Sequence, residues 1–355
     1  MLYVISIIPE DLELVIPGNV GFFEVLIVVS FLIHILFVNI TVGSSALAVV
    51  QEIKGIRTKR AEDDMLAAQL ATHTSILKSI AVVMGIAPLL LISVLYTQYF
   101  YPSTILIGKA WLSLLLILLV AFLFLYAYKF TWDKMTHIRK KRVHVLIGAV
   151  GSAMLLFVPL IFIVNVVSML YPDMWEESKG FFHALTYYPQ VWQRYIHFIL
   201  ASFAIAGFYL YFWNNRLQKK NGKNEQSKAN LCMQKQGKRL GLQVMIGTTA
   251  LQFIAGTWLL MNFEREIRLL YMGDDPFLTG LLLSSIFVTM ILLFFLYLLM
   301  KHDKRKYFMM SLASFILVLG IMGWMRHELR ETYIKPYKDE VPQTTEVQVN
   351  ETNAE

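Results

Sequence analysis

The sequence predicts an all-α protein: a polytopic membrane helix bundle of eight transmembrane helices. Only 16% of its 355 residues are charged and 57% are hydrophobic, whereas about a quarter of a soluble chain is charged. The charges are also unevenly distributed, because they separate eight charge-free apolar runs. Each run is about as long as a helix needs to cross a hydrocarbon core of ~30 Å. The composition therefore excludes a cytosolic enzyme and a nucleic-acid partner.

The eight apolar runs define the predicted spans in order. They are residues 25–51, 79–100, 110–128, 144–171, 195–214, 240–262, 277–300 and 307–325.

The basic residues predict the orientation of the bundle. If the N-terminus lies outside, the inner connections 51–78, 129–143, 214–239 and 301–306 contain 23 of the 32 Lys and Arg residues. The outer side then contains 18 of the 25 acidic residues. An excess of Lys and Arg in cytoplasmic loops is the usual signature of membrane topology. We therefore expect a multi-pass protein of the cell inner (plasma) membrane, with its N- and C-termini outside.

The sequence predicts three regions outside the hydrophobic part of the bundle, which spans 21–326. Residues 1–20 are expected to form an outer segment, 214–239 a basic cytoplasmic loop, and 327–355 an outer tail whose last part is disordered. The single cysteine excludes a disulfide framework. The sequence has no CxxCH motif, which excludes a covalently attached c-type haem.

Two histidines lie inside apolar runs. His34 is nine residues into the first run, about 14 Å deep from the outer side at 1.5 Å per residue. His197 lies about one turn into the fifth span, also from the outer side. Ionisable groups at such depth usually mark function. The other histidines fall at helix ends or in loops, where we expect solvated surface roles: His73, His137, His144, His183 and His302.

A third candidate site lies at the outer end of the last span, where Glu328 follows Arg326 and His327 and precedes Arg330. All three sites therefore converge on the outer half of the membrane. A buried histidine can simply bond a neighbouring serine or carbonyl group. Two deep histidines at similar depth in an apolar, aromatic-rich bundle instead favour haem iron, because neutral imidazole is a common axial ligand.

Several motifs in the chain resemble one known family. They are HILFVNITVGSSALAVVQEIKG in the first span, MGIAP in the second, TWDKM after the third, AVGSAMLLFVPLIFIVNVVSMLYP in the fourth, PQVWQRYIHFILASFAIAGF in the fifth and GWMRHE in the last. These motifs resemble subunit I of cytochrome bd quinol oxidase, and the resemblance covers most of 20–262 and the terminal helix.

The resemblance implies a role for each candidate residue. His34 matches the histidine that holds a high-spin haem, and His197 matches one axial ligand of the low-spin haem b that takes electrons from quinol. Glu328 matches the carboxylate at the remaining haem, and Trp324 matches a tryptophan between haems. Trp324 and Arg330 are the candidate catalytic residues. The implied cofactors are one to three b-type haems. The resemblance leaves open whether a d-type haem is also bound.

The sequence also departs from the family pattern. Two glutamates of the third helix, implicated in proton delivery, are replaced by Ser113 and Ala121. The long quinol-binding loop after the sixth span is reduced to 263–276. The seventh helix should supply the second low-spin ligand, but its start contains no Met or His, and Met272 is the nearest candidate.

Two functions from different classes follow. The first is a quinol-oxidising membrane b-type cytochrome that passes electrons to oxygen or to a periplasmic c-type cytochrome, together with a second membrane subunit. The missing glutamates favour the cytochrome partner over oxygen. The second is a haem-free transporter or channel, favoured by Pro88 and Pro159 within spans, since broken helices line transport pathways.

Overall fold

The computed structural model describes residues 19–135, 137–221 and 228–340, and in these ranges the chain is helical and has no strand. The helices are α1 Val20–Thr58, α2 Ala61–Leu95, α3 Thr97–Leu106, α4 Gly108–Phe130, α5 Ile138–Met169, α6 Phe181–Tyr187, α7 Val191–Asn221, α8 Lys228–Met261, α9 Arg265–Leu269, α10 Pro276–His302 and α11 Arg305–Glu340.

The prediction of eight transmembrane helices is confirmed. Within the described ranges, eight helices are long and apolar enough to cross a membrane, namely α1, α2, α4, α5, α7, α8, α10 and α11. Consecutive spans run antiparallel, so the even number brings the first and last described residues to the same end of the bundle. We call that end outer and the opposite end inner, following the distribution of basic residues.

Glycines allow α7 to approach two neighbouring helices backbone to backbone. A Cβ atom on Gly43 of α1 would overlap the Ser202 carbonyl of α7. Where α7 crosses α8, a Cβ on Gly207 would lie 2.6 Å from the Gly241 carbonyl oxygen, and a Cβ on Gly241 would overlap the Gly207 carbonyl. Small residues at such crossings are typical of membrane helix packing. Helix α7 is therefore held between α1 and α8.

The prediction that residues 214–239 form a loop is wrong for most of that range. Helix α7 continues to Asn221 and α8 begins at Lys228. The two helices extend beyond the apolar runs and pack on each other, and Asn214 and Gln234 are buried. The Lys, Arg and Gln residues that suggested a loop are also good helix formers. Residues 222–227 lie outside the described residues.

The prediction that residues 327–355 form a tail outside the bundle is also wrong for the first part of that range. Helix α11 continues to Glu340, and Leu329, Tyr333 and Ile334 are buried in the outer half of the bundle. The predicted disorder of the last part and the predicted outer segment 1–20 fall almost entirely on residues 1–18 and 341–355, which lie outside the described residues.

The outer connections contain short helices that close this end of the bundle. Helices α3, α6 and α9 belong to them, as does a π-helical turn at Leu270–Asp274. Asp275 ends that turn and caps α10 by accepting hydrogen bonds from the backbone N–H groups of Phe277 and Leu278. These elements cover the outer half, where the candidate site lies.

Candidate cofactor site

His34 lies on α1 with its imidazole ring against α2. Its Nδ1–H donates a 2.9 Å hydrogen bond to the Ala81 carbonyl oxygen. Gly85, one turn further along α2, leaves the space for the ring, since a Cβ there would lie 2.8 Å from Cε1 of His34. Metal-bound histidines usually donate their second ring N–H to a carbonyl or carboxylate. The bond to Ala81 thus fixes the ring and leaves Nε2 available for iron.

His197 lies on α7, about three turns outward from the α7–α8 crossing at Gly207. Its Nδ1 is buried and has no hydrogen-bond partner in the described part of the chain. Gly256 of α8 faces the ring, since a Cβ there would lie 4.0 Å from Cε1 of His197. A buried polar nitrogen without a partner is rare and requires an explanation. Coordination to a metal is an explanation that suits an imidazole in apolar surroundings.

The outer end of α11 brings together three of the predicted site residues. Trp324 contacts His327 with ring centroids 5.3 Å apart, and Glu328 lies one turn further along the same face of α11. The guanidinium of Arg330 donates from Nη2 to Nδ1 of His327 and to the hydroxyl of Tyr96, both at 2.8 Å. The predicted cluster of Trp324, Glu328 and Arg330 therefore forms one contiguous group.

This cluster is tied to the first two helices. The Arg326 guanidinium lies 3.8 Å from the ring centroid of Phe31 on α1. Tyr96, at the end of α2, donates from its hydroxyl to the carboxylate of Glu331. Burial raises the pKa of the Tyr96 hydroxyl, so that it remains a hydrogen-bond donor at neutral pH. The outer end of α11 is thus fixed against the helix that carries His34.

A second buried polar group lies beside His197. The Gln190 amide nitrogen donates 2.7 Å hydrogen bonds to the hydroxyls of both Tyr171 and Tyr333, and its oxygen accepts from Nη2 of Arg194 at 2.7 Å. Arg194 precedes His197 by one turn of α7. Burial raises the pKa of the Tyr171 hydroxyl, which therefore stays protonated. This group places a cation and two hydroxyls next to the predicted low-spin site.

Met272 is the predicted residue that the structure leaves apart from the others. It lies on the π-helical turn with 58% of its surface exposed, and Tyr271 rather than Met272 is buried at this turn. Its assignment as the second low-spin ligand stays a prediction.

Ser113 and Ala121 of α4 stand at the two positions that the family resemblance singled out. Ser113 bonds within its own helix, donating to the Ala110 carbonyl at 2.7 Å, and Ala121 is fully buried.

Sequence reasoning missed a buried ionisable group at the inner end. The expected surface role of His144 is wrong, because only 2% of His144 is exposed. Its Nδ1 lies 2.7 Å from Oε1 of Glu52, and its Nε2 donates to the Tyr128 carbonyl at 2.7 Å. Glu52 also accepts from the Tyr128 hydroxyl at 2.7 Å. Glu52 and His144 lie at the edges of their apolar runs, where ionisable residues usually meet water, so their burial could not be predicted from the sequence.

The histidine sites fit haem iron as the resemblance implied. Among the described residues, no three His, Cys, Asp or Glu side chains lie close enough to form a complete ion site. A porphyrin supplies the equatorial ligands itself and needs only axial ligands from the protein. His34 and His197 each offer one imidazole nitrogen in the outer half of the bundle. The fold and site thus define a polytopic helical membrane protein equipped to hold haem.

The comparison with known families identifies this class more closely. The family model described as cytochrome bd terminal oxidase subunit I matches residues 25–266, which include His34 and His197. The chain belongs to this family. It is therefore a respiratory oxidase-like, multi-pass inner-membrane protein of electron transport, and its family implies haem cofactors, a quinol substrate and a membrane subunit partner.

A solved structure of another protein has a similar fold. The structure of bd oxidase from Geobacillus thermodenitrificans superimposes with a TM-score of 0.56 at 14% identity, over 89% of this chain and 86% of that chain. At this identity, the likeness shows the fold alone. A search of curated proteins finds no match.

Proposed function

We propose that the chain is the haem b subunit of a quinol-oxidising membrane oxidoreductase, working with a second membrane subunit. The observation that carries the proposal is the hydrogen bonding of the two outer histidines, His34 and His197. The hydrogen bond of Nδ1 to Ala81 fixes the His34 ring and leaves Nε2 free to bind iron. The buried Nδ1 of His197 has no hydrogen-bond partner in the described chain. Family membership supports the same conclusion and argues against a haem-free transporter or channel.

In this proposal, bound haem supplies one-electron oxidation and reduction, and the protein supplies position and charge. His34 and His197 hold iron at similar depth in the outer half. Arg194, one turn from His197, provides a cation for the carboxylate groups that porphyrins carry. Glu328 and Trp324 line a further haem position at the end of α11, with Arg330 holding the surrounding groups. Quinol is oxidised on the outer side and releases its protons there.

Oxygen is the electron acceptor that we favour. Glu52 and His144 form a buried ionisable pair at the inner end, which weakens the objection raised by Ser113 and Ala121. A periplasmic c-type cytochrome is a second candidate, favoured by the 18 acidic residues on the predicted outer side against nine basic ones. Such a surface would steer a basic soluble protein toward the bundle.

The proposal is tested with reduced-minus-oxidised spectra of the purified protein. We expect quinol to reduce a b-type haem without oxygen. His197→Ala should remove the low-spin signal and His34→Ala the high-spin signal, because each removes an axial imidazole. His183→Ala is the matched control on the short outer helix α6 and should keep both signals. A low-spin signal that persists in His197→Ala contradicts the assignment.

The acceptor is tested with the same preparation. Oxygen uptake and reduction of a soluble c-type cytochrome are measured separately after quinol addition. Rapid oxygen uptake supports an oxidase. Electron transfer to the soluble cytochrome with slow oxygen uptake supports the second candidate.

A further inference from the structure

The inner half of the bundle contains a buried acid–base pair formed by Glu52 of α1 and His144 of α5. The exposed fractions are 0% for Glu52 and 2% for His144. Tyr128 of α4 completes the group through its hydroxyl bond to Glu52. A Cβ on Gly148, one turn after His144, would lie 2.6 Å from the Tyr128 ring, so a glycine is required to admit that ring. Three helices thus converge on one carboxylate.

The hydrogen bonds determine how many protons the pair holds. Nε2 of His144 faces a carbonyl oxygen, which can only accept, so Nε2 carries a hydrogen. Nδ1 lies 2.7 Å from Glu52, whose other oxygen already accepts from Tyr128. One proton must lie between Nδ1 and the carboxylate, because two bare lone pairs would repel at this distance. The Glu52–His144 pair therefore stores one proton and becomes net negative when it gives that proton up.

The pair lies next to an opening on the inner side. A cavity of about 310 Å³ is lined by Ile53, Ile56, Arg57, Arg142 and Val145. Ile53 directly follows Glu52 and Val145 directly follows His144. The cavity therefore opens beside the helix turns that carry the pair, and neither Glu52 nor His144 itself lines it.

On the other side of the pair, hydroxyl groups continue along α1. Thr41, Ser44 and Ser45 are buried. Thr41 and Ser45 lie on the helix face that also carries Glu52, since they precede it by about three and two turns, and Ser44 lies next to that face. The Thr41 and Ser44 hydroxyls have no hydrogen-bond partner in the described chain. Buried polar atoms nearly always have partners, which include ordered water. The two unpartnered hydroxyls can each bond a water molecule, and the row ends two turns before His34.

We propose that Glu52 and His144 form a proton-loading site, filled from the inner aqueous phase and emptied along the hydroxyl row of α1 toward the outer-half cofactor site. This inference rests on the proposed function. In each cycle, the shared proton leaves along α1, the pair is left as neutral imidazole and carboxylate, and a proton from inner water restores it. Atoms and charge balance because the proton transferred outward equals the proton taken up.

The first experiment uses infrared difference spectroscopy of the haem-loaded protein, poised electrochemically between its oxidised and reduced states. We expect a carboxyl signal that is lost in Glu52→Gln, shifted in His144→Gln and kept in shifted form in Glu52→Asp. Asp63→Asn is the matched control, since Asp63 is equally buried at the inner end but is paired with Lys54 at 2.8 Å. It should leave the signal unchanged.

The second experiment separates proton delivery from electron transfer. Oxygen uptake should fall about 100-fold in Glu52→Gln, as expected for loss of a proton-transfer group, while anaerobic haem reduction by quinol keeps its rate. Asp63→Asn should retain both rates. If Glu52→Gln fails to fold, the infrared spectrum and the oxygen uptake are both measured on Glu52→Asp instead.

The outcomes distinguish the two proposals. If no redox-active haem is found, the proposed function and this inference both fail. If haem is reduced normally but the carboxyl signal is missing, or remains in Glu52→Gln, only the proton-loading site is refuted. Oxygen uptake unchanged in Glu52→Gln refutes it as well and leaves Glu52 as a structural bond between helices.

Discussion

The outer and inner halves of the bundle each bury histidine, but they use its two ring nitrogens differently. In the outer half, His34 bonds the protein through Nδ1, and the buried Nδ1 of His197 bonds no described residue. In the inner half, both nitrogens of His144 are engaged, one by Glu52 and one by a carbonyl oxygen. Burial alone therefore does not distinguish a metal ligand from a proton carrier. The difference lies in whether the protein already occupies both nitrogens.

The largest expected effect comes from crowding one outer histidine. Gly85→Val should displace the His34 ring, because even a Cβ would lie 2.8 Å from it. We expect loss of the high-spin haem signal and retention of the low-spin signal from His197. Gly320→Val is the control, since no heavy atom lies within 4 Å of a Cβ there. Equal loss of both signals would show that the two outer sites are not independent.

A smaller effect is expected from breaking the inner pair. His144→Phe leaves the Glu52 carboxylate buried without its main partner, which should cost about 3 kcal/mol or more. Tyr128→Phe removes a single hydrogen bond and should cost about 1 kcal/mol. Denaturant unfolding in one detergent measures both, with His137→Phe as the exposed control at the start of the same helix. If Tyr128→Phe proves the more damaging change, the hydrogen-bond assignment is wrong.

The smallest expected effect is that of Met272→Leu. With its side chain mostly exposed on the π-helical turn, Met272 does not contribute to the buried core. We expect the low-spin spectrum to survive this substitution. A change to a high-spin spectrum would instead assign Met272 as the second ligand and would require the turn to move inward around haem.

The sequence predicted the eight helices because each contains an apolar run long enough to cross the membrane. It did not predict where helices end, because the Lys, Arg and Gln residues of the α7 and α8 extensions suit a loop as well as a helix. His34 and His197 were found because they interrupt apolar runs. Glu52 and His144 lie at the edges of such runs, where an ionisable residue normally meets water. Only the packing of α1, α4 and α5 beyond those runs buries them.

The glycine contacts of α7 have a consequence for the rate of electron transfer. Gly43 on one side and Gly241 on the other bring α7 into backbone contact with two helices within three turns of His197. A ligand on so firmly clamped a helix can shift little when the charge on its iron changes. The reorganisation energy of a haem bound there should therefore be small, which lets electrons pass rapidly even when the difference in redox potential is modest.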